Sequence, residues 1–243
     1  MLSNQRSIFR KSRYTIIGQQ IWIDATATAD ITVVPSGGIQ YVSTLKDRSV
    51  NLRNFTQATQ ANQPIFVPSS INGLPSIAFN GTSSFMNFSD PTLSFLNASS
   101  FTIYIVATKT AGSSNQYFFG GQGAGTRNNL AAGYLSSNTF KVVAGNDDTQ
   151  TVVNTVTAGQ PELYGITFNA TNNQRIIRRN GVVVGQSATG GSLTGMSGQA
   201  LGRYLTSYGQ FNLGELLVYN RVLSAYEILQ LEQTLTSKWS ITG

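Results

Sequence analysis

Ten acidic side chains, with no histidine and no cysteine, set the chemistry open to this chain of 243 residues. The missing types are those most used for proton transfer near neutral pH, for thiolate attack and for transition-metal ligation. What remains for bond cleavage is paired carboxylates. Retaining glycoside hydrolysis needs two of them about 5 Å apart, and alternate residues of one strand would place them on one face. No stretch read as a strand holds two acids at that spacing. Asp24 and Asp30 stand six apart, Asp147 and Asp148 are neighbours, and Glu227 and Glu232 lie five apart on a helical segment. Ser-His-Asp chemistry is closed as well, since there is no histidine. These residues predict a protein that is not an enzyme.

Charge is sparse and uneven. Charged residues make up 11% of the chain, and the formal net charge is +6. Arg6, Arg10, Lys11 and Arg13 crowd the first 14 residues with no acid among them. A basic arm over residues 1–14 is therefore expected ahead of a nearly neutral body, as an assembly strap toward a neighbouring protein or another copy of the chain. Four charges without an aromatic RNP box argue against nucleic acid as its partner. Polarity comes instead from Ser, Thr, Asn and Gln, roughly a third of the chain against ordinary usage. That surface suits neutral hydroxylated ligands, and it fits a virion or an extracellular surface. No run of 18 apolar residues is present, so no membrane span is expected.

The elements that must position these residues read as strand and turn. Apolar alternation marks Tyr14 to Ile23, Ile39 to Leu45, Phe101 to Lys109, Leu163 to Phe168 and Phe211 to Tyr219, with shorter runs between. Asn72-Gly73, Asn80-Gly81 and Asn180-Gly181 are hairpin signals, because both residue types accept positive φ. Residues 46 to 63 read as a long loop. The one convincing helix follows Ser224, which forms a capping box with Glu227 ahead of an Ile228, Leu231, Leu235 stripe. The expected fold is all-β: a two-sheet antiparallel jelly-roll sandwich with one C-terminal α-helix, a single domain over residues 15–243.

Several stretches carry a family resemblance. They are Ile21-Trp22-Ile23-Asp24-Ala25, Leu45-Lys46-Asp47-Arg48-Ser49, Ile71-Asn72-Gly73-Leu74-Pro75, Ile77-Ala78-Phe79-Asn80-Gly81, Arg178-Arg179-Asn180-Gly181-Val182, and the run from Gly214 to Ser224. In that order, with the closing Lys238-Trp239, the chain resembles the concanavalin A-like, laminin-G-type domains of phage structural and bacterial surface proteins. The resemblance implies two curved sheets whose face or loop rim often binds carbohydrate, and in some members calcium. For a sugar, Tyr117, Tyr134, Tyr204 and Tyr208 are the candidate stacking rings, with Arg127, Asn128 and Asn129 as polar contacts. For calcium, Asn146, Asp147 and Asp148 form the best local oxygen cluster, with Asp24 and Asp47 as further oxygens, though calcium takes six to eight. No other cofactor is expected. Glu215, inside an apolar strand, needs a partner such as Arg203 or Arg221. Arg175, Arg178 and Arg179 read as a charged strand edge. The functional expectation is a non-enzymatic virion-associated structural or adhesion protein, a capsid decoration or a tail or fibre component, held to other virion or surface proteins through its N-terminal arm, with host glycans as a further partner of its exposed loops. The alternative is a carbohydrate-binding module of a bacterial surface or secreted protein, and the third is a glycoside hydrolase.

Overall fold

The computed structural model describes residues 16–90, 93–110, 116–122, 129–135, 139–144, 156–196 and 198–242. The expected basic arm lies outside the described residues. The strands, in chain order, are β1 (Gln19–Asp24), β2 (Ile31–Ser36), β3 (Ile39–Leu45), β4 (Phe55–Thr56), β5 (Ile65–Ile71), β6 (Leu74–Asn80), β7 (Met86–Phe88), β8 (Phe101–Lys109) and β9 (Gln116–Gln122). They continue as β10 (Asn129–Tyr134), β11 (Phe140–Ala144), β12 (Pro161–Asn169), β13 (Gln174–Arg179), β14 (Val182–Ser187), β15 (Ala200–Leu201), β16 (Arg203–Tyr204), β17 (Ser207–Tyr208) and β18 (Gln210–Tyr219). One helix, α1 (Ala225–Trp239), closes the described chain.

The fold is an all-β antiparallel sandwich with a single C-terminal helix. Its hydrogen bonding runs as one ladder, β11-β10-β9-β15-β7-β4-β3-β5-β6-β18-β8-β12-β13-β14, with β1 beside β18 and β2 beside β3. The ladder turns back on itself through β3, which pairs with β4 by Leu45 and with β5 by Tyr41. Its two halves thus face each other. Phe118 of β9 meets Phe211 of β18 edge-on at 4.5 Å, and Phe140 of β11 stacks on Tyr164 of β12 at 3.8 Å. Burying the two inner faces against each other is what holds such layers together.

The capping box forms as the sequence predicts. The Ser224 N–H donates to Glu227 Oε2 at 2.8 Å, and the Glu227 N–H donates to Ser224 Oγ at 3.3 Å. Glu227 also accepts from Arg221 at 2.5 Å. That guanidinium, helped by Ser224, holds the Glu227 carboxyl down to about 2. A carboxyl depressed on folding adds stability above its unfolded value, and the gain is lost as pH falls through the folded value. Glu227→Gln should therefore be less stable than the parent at pH 7, and the gap should narrow from about pH 4.5 down to about 2. Urea titrations at a series of pH values measure it.

All nine residues of β8 are buried, including the outward Tyr104 and Val106. Alternation alone predicts one buried face, and α1 covers the other. Trp239 is completely buried against Gly214, where a Cβ would stand 2.8 Å from the indole. Two of the three Asn-Gly pairs are hairpin turns. Asn72 and Gly73 join β5 to β6, Asn180 and Gly181 join β13 to β14, and all four residues have positive φ. Asn80-Gly81 is different. Asn80 Oδ1 accepts the N–H groups of Thr82, Ser83 and Ser84, an Asx-type turn that sends the chain from β6 to β7 without pairing them. Residues 46 to 63 are not featureless either. Asp47 accepts from the N–H groups of Trp22, Ser49 and Arg53, which fixes this segment against β1.

Candidate saccharide-binding surface

Strand alternation sorts the aromatic side chains of β9. Phe118 points into the core, and Tyr117 points out of it. There Tyr117 forms a small cluster with Ala131 and Val143, and its ring meets that of Tyr204 at 4.9 Å. Tyr204 arrives on the β16–β17 hairpin, in which Arg203 pairs with Tyr208 and Tyr204 with Ser207. Gly120 makes the approach possible, since a Cβ there would lie 2.8 Å from the Cβ of Tyr204. On the other side of the hairpin the Arg203 guanidinium covers the Phe85 ring at 3.7 Å, and Phe85 meets Tyr208 at 6.2 Å. Tyr117 is 6% exposed, while Phe85, Tyr204 and Tyr208 are half-buried. Leu205 at the hairpin tip is half-exposed. The result is a rim of half-buried rings, Phe85, Tyr204 and Tyr208, backed by the buried Tyr117.

Three of the four tyrosines singled out in the sequence are thus brought to this surface. Tyr134 is not. With Leu130 and Ala132 it points inward, its exposure is 0%, and it packs edge-on against Phe118 at 4.6 Å. Asn129 begins β10. Arg127, Asn128, Asn146, Asp147 and Asp148 fall outside the described residues. Phe85 and Arg203 carried no sequence signal as parts of a site, because only the fold brings them together.

The acids and their partners serve the frame. Glu215 is fully buried and accepts from Lys238 Nζ at 2.7 Å, Trp239 Nε1 at 2.8 Å and Trp22 Nε1 at 2.9 Å. Its partner is therefore Lys238, not Arg203 or Arg221, because α1 lies over β18. Lys238 also reaches Asp24 at 2.9 Å, across the strand pair from Glu215. Burial, with Asp24 beside it, pushes the Glu215 carboxyl up, and Lys238 opposes that shift. Asp24 accepts from Thr26 and Asp47 from Ser49, so both carboxylates are engaged within the fold.

The three arginines of β13 do not guard an edge, for β14 lies outside them. Arg175 is 3% exposed and donates to the carbonyls of Ala144 and Gly191 at 2.6 and 2.9 Å. Arg178 binds Glu232 at 2.7 Å, and Arg179 binds Glu162 at 2.5 Å. Glu162 also accepts from Tyr164, and burial pushes its carboxyl up. Among the described residues no group of three His, Cys, Asp or Glu side chains is placed to hold a metal ion. No helix among them is long and apolar enough to cross a membrane.

No family model and no curated protein matches this chain. Solved structures do. Trypanosoma rangeli sialidase superposes with a TM-score of 0.61 at 14% identity, over 94% of this chain and 34% of the sialidase chain. An arabinofuranosidase complexed with arabinofuranosyl-α-1,2-xylobiose gives 0.59 at 12% identity, over 90% and 59%. Domain 4 of AbnA, an extracellular GH43 arabinanase of Geobacillus stearothermophilus, in complex with arabinotriose, gives 0.56 at 13%, over 88% and 98%. The chain spans about a third of the sialidase chain it matches. At these identities the likeness is one of fold, and the fold is one found in carbohydrate-active proteins. Two expectations are corrected by it. A virion structural or adhesion protein is not what these neighbours are. The inference from scattered acids that the protein is not an enzyme is overturned too, since sialidase and arabinofuranosidase chains carry this fold.

Proposed function

We propose that this chain is a carbohydrate-binding domain of a carbohydrate-active protein, built on a concanavalin A-like jelly roll. The observation that carries the reading is the rim of half-buried rings, Phe85, Tyr204 and Tyr208, with Arg203 among them. A sugar presents C–H groups on its faces and hydroxyls at its edge. An aromatic ring with one open side takes the face, and its polar tip or a neighbouring cation takes the edge. The rings are already fixed by Tyr117 and by the Arg203 stack, so little side-chain freedom is lost on binding. The fold match to an arabinanase domain solved with arabinotriose supports the reading.

Calorimetric titration with arabinotriose, sialic acid and xylobiose tests it. Binding of one of these is expected, and Tyr204→Ala or Tyr208→Ala should weaken it about tenfold or more, as truncation of a central aromatic contact does. The far-ultraviolet circular dichroism should stay unchanged. Equal affinity in the parent and both variants would move the site elsewhere.

A further inference from the structure

A second recess adjoins this rim. Tyr41, Ile65 and Ala78 sit opposite one another across β3, β5 and β6, so their side chains share one face. A tall ring at one end and a small methyl at the other leave a trough of about 330 Å³. Its walls are the segment at Gln63 and the turn from Asn80 to Ser84. The walls are tied together, because Ser83 Oγ donates to the Ala61 carbonyl at 3.3 Å and the Phe85 N–H donates to the Asn62 carbonyl at 3.0 Å.

The lining is neutral throughout. A charged ligand would lose its hydration there with nothing to replace it. Gln63 is 5% exposed, and its Nε2 donates to the Gln57 carbonyl at 2.7 Å. That carbonyl can only accept, so the amide cannot be turned over. Its Oε1 is closed off from solvent and has no donor among the described residues. An aromatic wall, an apolar floor and the uncharged amide and hydroxyl residues Gln63, Asn80 and Ser84 in the lining fit a neutral sugar ring better than an ion.

The trough lies beside the aromatic rim along the chain. Ser84 in its wall is followed by Phe85 under Arg203. We infer that the Tyr41–Gln63 trough is a second saccharide subsite. It holds one neutral sugar ring of an oligosaccharide that continues across Tyr208 and Phe85. This rests on the carbohydrate reading above.

The test uses the full chain and a panel of neutral arabino-, xylo-, gluco- and galacto-oligosaccharides of two to six units, titrated by calorimetry. Tyr41→Ala removes the ring, and Ala78→Leu fills the floor without touching Gln63. Both sites face out of the core, so the melting temperature should hold within a few degrees. Each variant is expected to lower the affinity for the best oligosaccharide about tenfold or more, and affinity in the parent should rise with chain length. Unchanged affinity in both variants, with binding still sensitive to Tyr208→Ala, overturns the second subsite and leaves the carbohydrate reading standing. No binding of any oligosaccharide by the parent overturns both.

Discussion

Trp239→Ala is expected to destabilise the protein by about 3–5 kcal/mol, the range for deleting a large buried aromatic side chain. The indole is completely buried on Gly214. It lies at the last residue of α1, and its Nε1 donates to Glu215 at 2.8 Å. Its loss opens a cavity under the helix and leaves a buried carboxylate short of one donor. The backbone at the helix end is tied to the same place, because Asn72 Nδ2 donates to the Trp239 carbonyl at 2.8 Å. Equilibrium denaturation in urea gives the value. A loss under about 1 kcal/mol, the size typical of surface changes or less demanding sites, would mean that α1 is not packed as described.

Glu215→Ala should cost a similar amount, about 3–5 kcal/mol, as expected when one partner of a buried ion pair is removed. Two indole N–H groups, of Trp22 and Trp239, lose their acceptor together with the Lys238 ammonium. Lys238 keeps Asp24, so the larger share of the cost falls on the indoles. The two substitutions touch the same contact, and their effects should not add. The double variant should be destabilised by clearly less than the sum of the singles. Strict additivity in the same urea titrations would show that Glu215 and Trp239 act independently.

How much of this was readable in the sequence follows from how local each feature is. The Ser224–Glu227 box spans four residues, and the start of the helix it caps was legible to the residue. The Asn72-Gly73 and Asn180-Gly181 hairpins were legible for the same reason. Asn80-Gly81 has the same letters, yet its side chain spends itself on three backbone N–H groups and the chain crosses to the other layer. The Glu215 partners stand 23, 24 and 193 residues away, and no local pattern announces them.

For the candidate surface the sequence supplied the tyrosines without their facing. Tyr117 and Tyr134 lie on adjacent strands of one layer, but alternation, offset by a register shift between β9 and β10, sends one outward and the other into the core. Tyr41, Gln63 and Phe85 are unremarkable as letters. They acquire a role only when the ladder folds back through β3 and sets three distant segments side by side. The carboxylates mislead in the opposite sense. Their scatter along the chain argued against catalysis, whereas the fold itself is shared with glycosidase chains.

Diffraction from crystals of the chain soaked with the tightest-binding oligosaccharide locates the bound sugar. Difference density for a sugar ring is expected against Tyr204, Tyr208 or Phe85, running toward Tyr41. Density for the saccharide only over α1 and β14, away from these residues, would contradict this placement.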